Sequence, residues 1–93
     1  MFTVPRPNLI VSSEGFSVEV IGRSQILYRE AGRVLNIEAE LLATPRTIAL
    51  YTSSIIAWAP PHDRDELSAA ERARVVDNIT RAFTSQGRRL EVD

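Results

Sequence analysis

The chain reads Ser53-Ser54-Ile55-Ile56-Ala57-Trp58-Ala59-Pro60-Pro61-His62-Asp63 at the point where strand-like segments give way to a helical segment. The adjacent prolines end strand pairing, because neither can donate a backbone hydrogen bond to a neighbouring strand. The stretch also holds the only tryptophan and the only histidine of the chain. It therefore marks the predicted change from β structure to helix.

Short segments with a strand pattern lie on both sides of this stretch. Gly32 lies between two of them and predicts a hairpin with a tight turn. After that turn apolar and polar residues alternate as far as Leu41, which places them on opposite faces of a strand. The seven predicted strands are Leu9–Val11, Phe16–Val20, Ile26–Glu30, Arg33–Glu38 with its alternation continuing to Leu41, Thr47–Tyr51, Ile55–Trp58 and Arg88–Val92.

One amphipathic helix is predicted after the prolines. Ser68 and Glu71 form a capping box, in which each side chain bonds the backbone N–H of the other residue. Gly87 is a typical helix stop. The predicted buried stripe is Val75, Val76, Ile79, Ala82 and Phe83, and the predicted solvent-facing residues are Arg64, Arg72, Arg74, Asp77, Asn78 and Arg81.

These elements predict one α+β domain over residues 1–93. Its mostly antiparallel sheet has about six to seven strands, and the helix packs on one face because it cannot bury its apolar stripe alone. Residues 1–13 are expected to be an extra amino-terminal segment or strand.

Composition narrows the function classes. The 93 residues hold 11 basic and 12 acidic side chains, for a net charge of −1, and this balance argues against a nucleic-acid binder. Cysteine is absent, which excludes disulfides, cysteine-ligated zinc and a cysteine nucleophile. No signal peptide and no apolar run of membrane-spanning length is present. We expect a cytoplasmic protein with no membrane partner.

Three candidate chemical sites have simpler explanations. The run from His62 to Glu66 could ligate a divalent cation, but acidic residues before a helix also suit its positive dipole end. A triad of Ser53 or Ser54 with His62 and Asp63 lacks the usual nucleophile turn. The Glu38 and Glu40 carboxylates share a strand face, where exposed glutamates are ordinary. The sequence predicts no metal, no cofactor and no enzyme.

The order of the elements resembles a family of small immunity proteins from bacterial polymorphic-toxin and contact-dependent growth-inhibition systems. The similarity runs from about Gly15 to the end of the sequence. It rests on Ser54, Ile55, Trp58, Pro60, Pro61, His62 and Asp63, supported by Glu71, Ile79 and Gly87.

The resemblance implies a protein that binds a cognate toxin domain one-to-one and neutralises it without catalysis. The lack of a membrane-spanning segment fits a toxin that acts in the cytosol, such as a nuclease rather than a pore former. A basic nuclease would favour an acidic surface on this chain. Glu38 and Glu40 are the rival acidic patch. The residues expected to contact the toxin are Trp58, His62, Asp63, Asp65, Glu66 and Glu71.

Two alternatives remain open. The chain could be a non-enzymatic scaffold or oligomerisation module in which an outer strand pairs with a second copy through an open sheet edge. It could also be a small hydrolase that uses His62.

Overall fold

The computed structural model describes residues 1–22, 24–41, 47–55, 57–62, 64 and 66–92. Within these ranges lie seven β-strands, one α-helix and one short 3-10 turn. The helix, α1, spans Ala69–Ser85, and the 3-10 turn spans Thr52–Ser54. The strands are β1 Phe2–Arg6, β2 Leu9–Ser12, β3 Phe16–Ile21, β4 Gln25–Glu30, β5 Arg33–Leu41, β6 Thr47–Leu50 and β7 Arg89–Val92.

The seven strands form one sheet in which each strand lies beside its neighbour in the chain. All pairs from β1 to β6 are antiparallel, whereas β7 runs parallel to β6. A parallel neighbour needs a crossover connection, and α1 lies in the connection between these two strands. The predicted α+β fold, with a mostly antiparallel sheet and one long helix on one face, is confirmed.

A two-residue turn joins β4 and β5, as predicted. Ala31 and Gly32 both have positive φ, of 51° and 77°, and such a turn matches the right-handed twist of the paired strands. It sets the register so that Tyr28 lies opposite Leu35. Both side chains are fully buried, so the turn brings the two strands' core residues together.

The core lies between α1 and the inner face of the sheet. The predicted helical stripe is confirmed, since four of its members are buried and Val76 packs partly buried against them. The strands β3 to β5 contribute every second side chain, as a sheet with one covered face requires, whereas all four residues of β6 are buried. The buried side chains of the sheet include Ile10, Phe16, Val18, Ile26, Tyr28, Leu35, Ile37, Ala39, Ile48 and Leu50.

Both predicted ends of the helix are confirmed. The Ser68 hydroxyl accepts a hydrogen bond from the Glu71 N–H, and the Glu71 carboxylate accepts one from the Ser68 N–H, each at 3.1 Å. At the other end Gly87 has a φ of 70°, which a residue without a Cβ adopts readily. The Arg88 N–H then donates to the Phe83 carbonyl at 2.9 Å and closes the last turn.

The prediction that Asn78 faces solvent is wrong. Its side chain is buried, with 6% of its surface exposed. Its Nδ2 donates to the Tyr28 hydroxyl at 2.9 Å, and its Oδ1 accepts from Arg81 at 2.6 Å. A polar side chain is stable in the interior when its hydrogen-bonding groups have partners, and the sheet supplies one of them.

The predicted strand at Ile55–Trp58 is also wrong for the residues that the structure describes there. Ala57 forms only an isolated antiparallel bridge with Glu66. Ile55 and Trp58 are both buried, a spacing of three that a strand with alternating faces does not give. A strand that the sequence did not clearly mark, β1, occupies the first edge of the sheet.

No helix in the described part of the chain is both long enough and apolar enough to cross a membrane.

Candidate functional site

Residues 55–67, the connecting segment, lead from the 3-10 turn to the start of α1 and are tied to the edge of β5. The Glu38 N–H donates to the Ser54 hydroxyl at 2.9 Å, just before the segment. The Ala59 N–H donates to the Val34 carbonyl at 2.7 Å. Because β6 pairs only with the last part of β5, these bonds lie where that edge would otherwise be open.

Apolar side chains anchor the connecting segment in the core. Ile55 and Trp58 are each 1% exposed, and Leu67 is 5% exposed. The Arg33 guanidinium lies 4.1 Å from the centre of the Trp58 ring, which is favourable cation–π geometry. Trp58 was expected to contact a partner, but its burial leaves almost no surface for contact. The Trp58 side chain lies instead in the core and holds the connecting segment against the rest of the domain.

Arg33 also links the connecting segment to the start of the helix. Its Nη2 lies 3.9 Å from carboxylate oxygens of both Glu30 and Glu71. The hydrogen bond from the Ser68 backbone is the main cause of a lowered pKa at Glu71, and the nearby Arg33 charge acts in the same direction. Glu71 is half-buried and its carboxylate already serves the helix cap.

The other expected contact residues lie in different surroundings. Glu66 is exposed, and His62 is half-buried with its backbone N–H donating to the Ala59 carbonyl at 3.0 Å. Asp63 and Asp65 lie outside the described residues. No group of three potential metal-ligating side chains is found within the described ranges. Among the described residues, the structure therefore places Glu66 at the surface and Glu71 at the helix cap.

A second surface, the acidic groove, lies along the exposed side of β5. It has a volume of about 540 Å³. The Tyr51 hydroxyl donates to the Glu40 carboxylate at 2.7 Å. Neither Glu38 nor Glu40 forms an ion pair with another described residue. The lining residues are Ser24, Gln25, Glu38, Ala39, Glu40 and Tyr51.

The acidic groove and the connecting segment adjoin at Ser54. Its hydroxyl donates to the Tyr51 carbonyl at 2.6 Å and accepts from the Glu38 backbone, so it contacts both groove-lining residues. Ser54 thus joins the acidic groove to the beginning of the connecting segment. The alternation of β5 predicted the exposed glutamates, but only the tertiary structure shows that Tyr51 lies beside them.

Sequence reasoning missed a third concave surface. A groove of about 510 Å³ runs along the outer side of α1 beside the 3-10 turn. The Arg72 Nε donates to the Ile55 carbonyl at 3.1 Å and closes one side of it. The sequence signal that could have predicted this groove is the helical spacing of the small side chains that line it. The lining residues are Thr52, Ala69, Arg72, Ala73, Val76, Asp77 and Thr80.

The comparisons with known proteins identify a family. The family model of immunity protein 74 matches residues 17–93. No curated protein and no solved structure matches the chain. The matched region begins two residues after Gly15, where the resemblance to small immunity proteins was expected to start, and it leaves out β1 and β2. Since the match spans most of the sequence, the chain belongs to the immunity protein 74 family.

Proposed function

We propose that this chain binds a cognate bacterial toxin domain one-to-one and neutralises it without catalysing a reaction. The observation that carries the proposal is the family match over residues 17–93. The proposed toxin is a nuclease that acts in the cytosol, within a polymorphic-toxin or contact-dependent growth-inhibition system. The chain would work in the same compartment, with neither nucleic acid nor membrane as a partner.

We infer that the toxin docks on the exposed side of the connecting segment and the start of α1. The acidic residues of this region are Asp63, Asp65 and Glu66, and opposite charge on a basic nuclease would speed association and fix orientation. The buried Trp58 supports the proposal indirectly. A segment already held in place loses less conformational freedom on binding.

The acidic groove extends this proposed surface past Ser54. Neither Glu38 nor Glu40 forms an ion pair with any other described residue. An arginine or lysine of the partner could therefore pair with them without displacing a basic side chain of the described residues. Tyr51 adds an aromatic side chain of a type that is enriched at protein interfaces. The groove is therefore the second half of the proposed docking surface.

Calorimetry with the purified toxin domain tests both halves. Reversing the charge of Asp63, Asp65 and Glu66 together should weaken binding at least tenfold, because each like-charge contact opposes docking. The matched control is Thr84→Arg, which adds positive charge at an exposed position near the end of α1. Unchanged affinity of the triple variant would remove the connecting segment from the interface.

A second pair of variants separates the groove from the segment. Glu38→Arg with Glu40→Arg should weaken binding if the groove contacts the toxin, and should leave affinity unchanged if it does not. His62→Ala tests the hydrolase alternative in the same series. Full protection by the His62→Ala variant is expected, and loss of protection with intact binding would favour catalysis.

A further inference from the structure

The two outer edges of the sheet are built differently. At one edge, β1 contains Pro5, which has no N–H to offer, and its pairing with β2 shifts register between Thr3 and Arg6. Proline and irregular pairing are common means of blocking an edge against further strands. At the opposite edge β7 has no proline, and it pairs with β6 in continuous register. The β7 edge is therefore the one suited to accept another strand.

The backbone of β7 has unused capacity on its outer side. Within the described ranges, Arg89–Val92 makes no backbone hydrogen bond other than those of its ladder with β6. Val92 is 51% exposed. An edge strand of this kind presents a row of backbone donors and acceptors to any strand that can lie alongside it.

The charged side chains of β7 are complementary to the same side chains on another, antiparallel copy of this strand. Arg89 and Glu91 are two residues apart, so they lie on one face of the strand, and both are exposed. Neither forms an ion pair elsewhere in the described part of the chain. Between them Leu90 points to the other face and packs against the core.

We propose that a second copy of this chain pairs with β7 in antiparallel orientation, with Leu90 on the two-fold axis. In this register Arg89 lies directly opposite Glu91 of the second copy, and the same contact repeats on the other side of the axis. Opposite charges at directly opposed positions stabilise an antiparallel pair. A shift by one residue in either direction would place Leu90 opposite Glu91 or Arg89 and bring this core-facing side chain onto the exposed face of the partner strand, so the partial burial of Leu90 also sets the register.

The resulting dimer extends the sheet across two molecules. An interface made of one four-residue strand from each copy is small, and small interfaces form weak, reversible complexes. We therefore expect association that depends on protein concentration. This inference is independent of toxin binding, because β7 contributes no residue to the proposed docking surface.

Analytical ultracentrifugation of charge variants tests the register. Glu91→Arg places arginine opposite arginine and Arg89→Glu places glutamate opposite glutamate, so each should associate about tenfold more weakly than the wild type. An equimolar mixture of these two variants should form a heterodimer, because every opposed pair is then of opposite charge. The double variant with both substitutions should recover self-association for the same reason.

Circular dichroism of each variant establishes that it folds. Recovery of association in the equimolar mixture is independent evidence that both variants are folded. A wild-type chain that stays monomeric up to millimolar concentration would overturn the inference, even if it binds the toxin. A dimer insensitive to both charge reversals would place the interface elsewhere. If the wild type is monomeric and these reversals instead weaken toxin binding, the β7 edge belongs to the toxin and not to a second copy.

Discussion

Asn78 and Tyr28 form a polar contact inside the core that joins the helix to the hairpin of β4 and β5. The Tyr28 hydroxyl accepts from Asn78 and donates to the Glu30 carboxylate at 2.7 Å. Burial raises the pKa of the Tyr28 hydroxyl, so the group stays protonated and remains a donor. Arg74 binds Glu30 at 2.6 Å from the helix side, which closes the connection.

Asn78→Ala should lower the free energy of unfolding by about 1–3 kcal/mol, because it removes two hydrogen bonds of a buried side chain, one to the Tyr28 hydroxyl and one from Arg81. Urea denaturation measures the change. The matched control, Thr84→Ala, lies at an exposed position of the same helix and should change stability by less than about 0.5 kcal/mol. Equal effects of the two substitutions would show that the buried contact contributes little.

Single residues were the hardest level to predict from the sequence. Asn78 and Trp58 are each surrounded by groups from distant parts of the chain, and no local pattern encodes those neighbours. Asn78 interrupts the charged side of a helical pattern, which favours solvent, while its partner Tyr28 lies fifty residues away. Trp58 lies just before two prolines, and its ring contacts Arg33, which is 25 residues away in the sequence.

At the level of elements, local rules were sufficient where the controlling residues are adjacent in the sequence. The capping box, the helix stop at Gly87 and the two-residue hairpin at Gly32 each depend on a few neighbouring residues, and each is confirmed. The segment at Ile55–Trp58 looked like a strand because it is apolar. The burial of Ile55 and Trp58 comes instead from side chains anchored in the core at a spacing of three, which composition does not reveal.

Ser68→Ala should lower the free energy of unfolding by about 1 kcal/mol, because the Glu71 N–H at the start of α1 loses its acceptor. Thermal denaturation followed by circular dichroism measures the loss. Ser68→Asp supplies another good capping oxygen and should retain most of the stability. If Ser68→Asp is as unstable as Ser68→Ala, the hydroxyl acts through something other than capping.

For the whole molecule, ion pairs connect β1 and β4 to β3 and tie the turn between β2 and β3 to the helix. The Arg81 hydrogen bond lowers the pKa of Glu14, and the hydrogen bond from Arg29, aided by Arg6, lowers the pKa of Glu19. Together with Glu71 these carboxylates have folded-state pKa values below the usual 4.5. Their contribution to folding is present above pH 4.5 and is lost as the pH falls through the lowered values.

The free energy of unfolding should therefore decline on acidification below about pH 4.5, the ordinary value for these groups. Urea titrations at neutral and acidic pH measure the decline. Glu19→Gln removes one titrating group and should reduce the difference between the two pH values. An identical pH dependence in this variant would mean that Glu19 interacts equally in the folded and unfolded states.

The fold class could be predicted because the alternation of the strands and the stripe of the helix favour one helix on one face of a sheet. The exact set of strands could not, since β1 carries no clear pattern and the apolar residues at Ile55–Trp58 suggest a strand where the described residues form only an isolated bridge. The docking surface could be predicted only in part. Glu38 and Glu40 could be recognised as exposed strand residues. Their proximity to Tyr51, and the contacts of Ser54 with Glu38 and Tyr51, depend on how β5 and β6 pair. The residues that form a binding surface also depend on the partner's sequence, which this sequence does not contain.

The central claim is that the chain neutralises a toxin domain by binding it. Growth of bacteria expressing the cognate toxin domain, with and without this chain, tests it most directly. Co-expression should restore growth, and the two proteins should copurify as a complex with equal numbers of each. Growth that remains arrested while the chain is folded and abundant in the cell would contradict the claim.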